Sequence, residues 1–304
     1  MKFGKVEHPE KIDFKFPKVP DSSVQFLREL SPTENPARLY LGATGWSMKE
    51  WHGTVYPKSC KASDYLKFYS KQFSTIEFNT THYRIPSPGM VEKWYESSAP
   101  DFKFCPKLPQ SISHLNDLGI NSGQLDHFTD VMLGFKEKMG CCFMQLPPYF
   151  GPDRRKLLNS FLDLWSSNGI ALAIEFRHPD WFNSVEGKAI FDDLRQKGFG
   201  AVITDVAGRR DVLHLELTAS FTMIRFVGNN LIKSDIDRMN AWVTLLNNWK
   251  NQGLNEIYFF PHQPDNIKSP QATVLLAQAF DQNNFEFRFP NLELHKSGEQ
   301  MNLF

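Results

Sequence analysis

The stretch ALAIEFRHPDW, Ala171 to Trp181, decides how this chain is read. In an extended strand successive side chains point to opposite faces. Ile170, Leu172, Ile174 and Phe176 therefore share one face, and Ala171, Ala173, Glu175 and Arg177 share the other. The first face is bulky and apolar, suited to lying under helices. The second is small and then charged, which makes a poor solvent face. A buried strand that ends in Glu, Arg and His needs partners for those charges elsewhere in the chain.

Outward from this strand the same rhythm repeats. Short β-type runs occur at Leu39–Gly45, Phe73–Asn79, Phe102–Lys107, Cys141–Leu146, Ile170–Arg177, Ala201–Thr204, Phe221–Val227 and Glu256–Phe260. Helix-like stretches fill most of the gaps, among them SDYLKFYSKQF, DRRKLLNSFLDLWSSNG and DIDRMNAWVTLLNNWKNQG, with Gly169, Gly198 and Gly253 placed as closing residues. The gap DVAGRRDVLHLELTAS has the weakest helical pattern. Eight strands alternating with helices predict an α/β fold with a parallel sheet, and the count favours a (β/α)8 TIM-type barrel. The expected organisation is an N-terminal extension over 1–38, one barrel domain over 39–285 and a short tail over 286–304. A short helix is expected at Ser22–Leu30.

Composition narrows the function classes. At 304 residues, with 41% hydrophobic residues, 27 Phe and 7 Trp, the chain has ample material for a large core. Lys plus Arg and Asp plus Glu each total 34, so no global field draws the protein to nucleic acid or membrane, and any anion site must be a local cluster. Cys60, Cys105, Cys141 and Cys142 show neither CxxC nor metal spacing and suit reduced, buried thiols. No apolar run approaches a membrane span and the first residues carry no apolar signal region, so a cytoplasmic protein without membrane contact is expected. No GxGxxG or GxxxxGK[ST] follows any strand, which removes the default nucleotide-binding readings.

In such barrels sites gather where strands end. The first end carries Trp46 and Trp51. The second carries Glu77 and Asn79 on the inward face, then His82, Tyr83 and Arg84. Lys107 and His114 follow the third, and Gln145 stands at the fourth before a double proline. The fifth carries Glu175, Arg177, His178 and Trp181, the sixth Thr204 and Asp205, the seventh Arg225, and the eighth FFPHQPD with His262. Each residue has a bland reading. Glu77 and Glu175 could simply pair with Lys107, Arg177 or Arg225, and the tryptophans could be packing. Convergence from different strands is what raises the functional reading.

The motifs LGATGWSMKEWHGTVYP, FSTIEFNTTHYRIPS, FKFCPKLPQSISH, FMQLPPYF and LAIEFRHPDW together resemble those of the domain of unknown function 72 (YecE-like) family, over roughly Leu39 to Phe280. The resemblance implies a TIM-type barrel and no agreed activity; the family is usually likened, by fold alone, to metal-dependent barrels. It brings forward Trp46, Glu77, Asn79, Tyr83, Lys107, His114, Gln145, Glu175, Arg177 and Trp181. His82 departs from the family's usual Phe, and FFPHQPD departs from its Asn-rich end to the last strand.

Two function classes follow. In the first, the protein is an enzyme acting on a phosphorylated sugar or nucleic acid by hydrolysis or elimination. Glu77, Glu175 and Lys107 are the candidate catalytic residues, Lys107, Arg177 and Arg225 clamp an anion, and Trp46, Tyr83 and Trp181 stack a ring. Asn79, Arg84, His114 and Gln145 complete the expected ligand-binding set. Three cations at one mouth would repel a divalent ion and no HxH or HExxH occurs, so no metal is expected, and the cofactor is left open. In the second, the barrel binds a nucleic-acid end or nucleotide without turning it over. The segment QMNLF, with Gln300, Leu303 and Phe304, resembles the bacterial sliding-clamp-binding pentapeptide, in which Leu and Phe enter apolar pockets while Gln bonds the rim. Such a partner would tie the protein to DNA replication or repair.

Overall fold

The structure, a computed structural model, describes residues 4, 6–30 and 36–292. Gln300, Leu303 and Phe304 lie outside the described residues. All eight expected strands are present: β1 Arg38–Leu41, β2 Thr75–Phe78, β3 Lys103–Pro106, β4 Cys142–Gln145, β5 Leu172–Glu175, β6 Gly200–Asp205, β7 Phe221–Val227 and β8 Glu256–His262. Most observed strands are shorter than the apolar runs that announce them. Every residue of β2, β4, β5 and β6 is buried, as in a parallel sheet covered on both faces.

The strands pair in parallel as a six-stranded sheet, β1-β8-β7-β6-β5-β4, and a two-stranded sheet, β2-β3. Backbone contacts cross both remaining gaps. Lys107 bridges to Phe143, and the Leu108 amide donates to the Phe143 carbonyl at 2.9 Å. On the other side the Ser74 amide donates to Leu41 and the Glu77 amide to Ala43, at 3.2 and 3.0 Å. Strand-to-strand contacts thus run in a closed circuit. A cluster of Tyr40, Cys105, Cys141, Phe143, Ala173, Val202, Met223, Tyr258 and Phe260 is enclosed within it. Ala173 lies in that inner cluster, whereas Ile170, Leu172, Ile174 and Phe176 pack outward, as the alternation in Ile170–Arg177 requires.

Helices cover the outer faces. The longer ones are α1 Asp21–Glu29, α2 Tyr65–Gln72, α3 Pro88–Ser97, α4 Gln124–Met132, α5 Arg155–Trp165, α6 Val185–Lys197, α7 Lys233–Asn251 and α8 Ser269–Phe280. In α5, Leu158, Phe161, Leu162 and Trp165 recur at helical spacing and are all buried. Ser184 caps α6 by accepting from the Gly187 amide, and Gly198 ends it with φ +73°, which glycine adopts without a side-chain clash.

The sixth crossover holds no longer helix, only a short 3-10 turn at Arg210–Val212. Helix α1 takes that place. Its Leu27 joins Leu213, Leu215 and Leu217 in one core cluster. The Ser23 hydroxyl accepts from the Leu217 amide at 2.9 Å and donates to Glu216 at 3.1 Å, while Arg195 pairs with Glu216 from α6. Phe16, ahead of α1, packs edge-on against Trp242 of α7 at 4.6 Å. Phe16 and helix α1 are thus part of the outer layer.

Candidate functional site

The inward alternation of β2, β5 and β7 brings Glu77, Glu175 and Arg225 together at the carboxyl ends of the strands. Arg225 donates to Glu77 through Nε at 3.0 Å and Nη2 at 2.9 Å, and to Glu175 through Nη1 at 2.6 Å. His262 Nε2 meets Glu77 at 2.7 Å, and Asn79 donates to the same carboxylate at 2.8 Å. Glu175 also accepts from Arg177 Nε at 3.1 Å and from Gln145 Nε2 at 2.7 Å. The Gln145 oxygen in turn accepts from Lys107 Nζ at 2.9 Å. One hydrogen-bonded chain therefore runs from His262 on β8 to Lys107 just beyond β3.

Burial alone would push both carboxyls up, but the charges around them prevail. Arg225 and His262 hold Glu77 well below the usual carboxylate range. Arg225, Arg177 and Lys107 hold Glu175 down to about 2. Burial is likewise the main influence on Lys107, with Arg225 next, and its ammonium is lowered to about 8. Burial also lowers His82 to about 4; its Nδ1 meets the Leu108 carbonyl at 2.8 Å.

Above this network lies a cavity of about 750 Å³. Lys107, Gln145, Arg177, Arg225, His82 and Tyr83 form its floor and one side, with Asn79, Asn229, Asn230, His262 and Gln263 around them. Gly4, Val6, Glu7 and Pro9 of the N-terminal segment form a further wall. That wall is held by close backbone approach: the Gly208 amide donates to the Gly4 carbonyl at 3.0 Å, and a Cβ on Gly208 would stand 2.8 Å from that oxygen. Asn230, Leu231, Asp265 and Asn266, in the loops after β7 and β8, have φ between +57° and +69°. Such left-handed backbone at non-glycine residues persists only where surroundings enforce it, and it gathers at functional loops. In the loop after β7, Asp235 enforces it by accepting from the Asn229 and Leu231 amides at 2.6 and 3.0 Å.

Several expected residues stand elsewhere. Glu77 and Glu175 are 0% and 1% exposed and sit beneath the cavity rather than in its lining. As ionised groups that accept from Arg225, Arg177, Gln145 and Asn79, they hold the cations in place. Trp46 is packing: it stacks on Phe78 at 5.1 Å and meets Trp94 edge-on at 5.7 Å. Trp181 is fully buried, stacks near Phe150 and donates to the Phe150 carbonyl at 2.7 Å. Arg84 is exposed and outside the cavity lining, and His114 touches the site through its edge contact with the His82 ring at 5.5 Å. Tyr83 remains the aromatic residue at the rim, 70% exposed.

Sequence reasoning passed over Gln263, Asn229, Asn230 and the N-terminal wall, and placed His262 at the eighth strand end without including it in the ligand-binding set. The two asparagines had a signal, since they follow Arg225 at one strand end. The N-terminal residues had none, because nothing local tells Gly4 which loop it will meet.

Among the described residues no group of three or more His, Cys, Asp or Glu side chains is placed to hold a metal. No helix among them is long and apolar enough to cross a membrane. A second cleft, of about 830 Å³, lies between α6 and the segment entering α1. Its Arg195 is paired with Glu216 and Asp192, and Arg210 with Asp205, so its charges are already matched.

Comparisons with known proteins agree with this architecture. The chain is 29% identical over 252 residues to the UPF0759 protein YecE of Escherichia coli (strain K12), covering 77% of this chain and 89% of that protein. A crystal structure of a DUF72 family protein from Enterococcus faecalis V583 superposes with a TM-score of 0.63 at 17% identity, covering 80% of this chain and 95% of that one. One from Thermotoga maritima MSB8 superposes with a TM-score of 0.58 at 24% identity, covering 80% and 98%. A model of the protein family of unknown function DUF72 matches residues 40–294, so the chain belongs to the DUF72 family.

Proposed function

We propose that the cavity binds a small phosphorylated ligand and that the protein acts on it as a hydrolase or lyase. The observation that carries this reading is the charge count beneath the cavity. Three cations, Lys107, Arg177 and Arg225, face two carboxylates, Glu77 and Glu175. Arg225 and Arg177 are each paired with a carboxylate, whereas among the described residues Lys107 bonds only the neutral Gln145 oxygen. A buried ammonium without a carboxylate in direct contact is costly, and an anion in the cavity would supply that contact. Lys107 and Arg177 are the principal donors, with Tyr83 at the rim to cover an organic portion. The wall contributed by Gly4, Val6, Glu7 and Pro9 favours a small molecule over a duplex. Titration of the protein with inorganic phosphate and with a sugar phosphate tests the reading. Binding to the folded state must raise the melting temperature, and no shift with either ligand up to millimolar concentration would remove it.

A second reading rests on the segment Gln300–Phe304. We propose that this segment docks on a bacterial sliding clamp. Binding of purified clamp by the full chain, with loss on removing 300–304 and in Phe304→Ala, is the expected result. Equal binding by all three proteins, or none by the full chain, contradicts it.

A further inference from the structure

Lys107 is the one cation in the network that offers, besides a charge for an anion, an amine for covalent chemistry. Its Nζ makes a single hydrogen bond, to Gln145 Oε1 at 2.9 Å, and among the described residues it has no carboxylate within ion-pair distance. The residue is 5% exposed and lines the cavity. An amine held this way has two of its positions directed away from protein partners. With its ammonium lowered to about 8 by burial and by Arg225, roughly one molecule in ten carries the neutral amine at pH 7. For an ordinary exposed lysine near 10.4 the fraction is about one in 2,500. Neutral amine on a fixed side chain is the nucleophile that carbonyl condensation requires.

A second observation points to the same cavity. The Gln263 side chain is 4% exposed and lines it, and its Nε2 is buried without an acceptor. Its Oε1 is occupied by the Asn230 amide at 2.9 Å, so the amide is fixed with Nε2 as the spare donor. A buried donor without a partner is costly unless a ligand satisfies it. Gln263 is thus a fixed, unsatisfied donor in the cavity wall, packed against Gly228.

We propose that Lys107 forms an imine with a small aldehyde or ketone that also carries a phosphate or carboxylate group. The proposal rests on the anion reading for the position of the charged group. In the step, the Nζ lone pair attacks the carbonyl carbon and a C–N bond forms. The carbonyl oxygen takes protons from the amine and from cavity water and leaves as water, and the nitrogen lone pair closes the C=N bond. One water is lost, one proton is gained from solvent, and no oxidant or reductant is needed. The resulting iminium cation lies over the ionised Glu175 and Glu77, whose charges already favour a cation at this nitrogen. Elimination or carbon–carbon cleavage beside the imine would then draw on it as an electron sink, consistent with lyase chemistry.

The test uses the intact wild-type chain. It is incubated with glyceraldehyde 3-phosphate or with uncharged glyceraldehyde, reduced with sodium cyanoborohydride, and mapped by peptide mass spectrometry. The expected result is a reduced adduct at Lys107 at least tenfold more abundant than at any other lysine, stronger with the phosphorylated aldehyde and suppressed by inorganic phosphate. Adducts spread evenly over surface lysines, with Lys107 unmodified, overturn the imine. Inorganic phosphate is titrated in parallel by thermal shift, so the two readings fail separately. A phosphate shift without a Lys107 adduct leaves the anion site and removes the imine. A Lys107 adduct that is equal for both aldehydes and insensitive to phosphate keeps the imine and removes the anion site.

Discussion

Arg225 grips Glu77 with two nitrogens, at 3.0 and 2.9 Å, and its third reaches across to Glu175 at 2.6 Å. A single planar fork thus bridges two carboxylates that come from strands nearly a hundred residues apart. Removing one partner of a buried pair strands the other, at a cost of about 3–5 kcal/mol. Arg225→Met should lower folding stability by about that amount in equilibrium denaturation. Arg225→Lys should recover only part, because one ammonium cannot span both acids. A loss within experimental error for Arg225→Met would mean that the network is not maintained in solution.

Lys107→Met is expected to behave differently. It removes a buried ammonium with no carboxylate partner, so the ligand-free protein should stay within about 1 kcal/mol of wild type, the cost of one unsatisfied amide oxygen on Gln145. Stabilisation by inorganic phosphate should disappear. Thermal melts with and without phosphate read both effects. A variant that unfolds readily but still responds to phosphate would identify Lys107 as structural.

Acid stability should fall in two stages. His82 and His214 are both lowered by burial to about 4, from an ordinary value near 6.5. Across that window the unfolded chain binds more protons than the folded one, so stability is lost as pH falls from 6.5 towards 4. Glu175, held at about 2, and Glu77, held well below the ordinary range, add a second loss as pH falls from about 4.5 towards 2. Each proton taken up on unfolding contributes about 1.4 kcal/mol per pH unit. His214 meets the Val202 carbonyl through Nε2 and accepts from the Glu216 amide at Nδ1, so the neutral ring is the one that fits. Denaturation midpoints measured from pH 7 to 3 should show a shallower upper stage in His214→Gln. An unchanged slope would assign that stage to other groups.

Leu27 is 1% exposed and packs with the leucines of the sixth crossover. Leu27→Ala should cost about 2–4 kcal/mol, the usual range for a core truncation. Ser23→Ala should cost about 1–3 kcal/mol by leaving the Leu217 amide unpaired. Neutral effects of both in urea titrations would show that α1 does not dock as described.

The strand count, the order of elements and the inward set Glu77, Glu175 and Arg225 were legible in the sequence because period-two alternation is a local signal. Glu175 and Ala173 share a parity that survives any error in strand ends, and five of the eight strands, β1 to β5, proved shorter than their apolar runs. Trp46 and Trp181 were misread for a related reason. Both follow strand ends, but which way a side chain turns once a strand has stopped depends on neighbours such as Phe78, Trp94 and Phe150. The carboxylates were placed correctly, yet their chemistry depended on how many donors reached them, which alternation does not encode. The helix-poor sixth gap was visible as a weak pattern. That a helix almost two hundred residues earlier would fill it was not, since no local propensity records a long-range partner.

That arrangement also sets an order of events in time. Helix α1 is synthesised before its surface partners, Leu213, Glu216 and Leu217, which follow 194 residues later in the case of Ser23 and Leu217. On the ribosome the segment must wait, undocked, until the sixth crossover has emerged. The wall supplied by Gly4, Val6, Glu7 and Pro9 is tied to Gly208 in the same late region. The wall from Gly4, Val6, Glu7 and Pro9 can therefore close on the cavity only after Gly208 has been made. Closure of that side is a late event of biosynthesis, although the residues that provide it are made well before the sixth crossover.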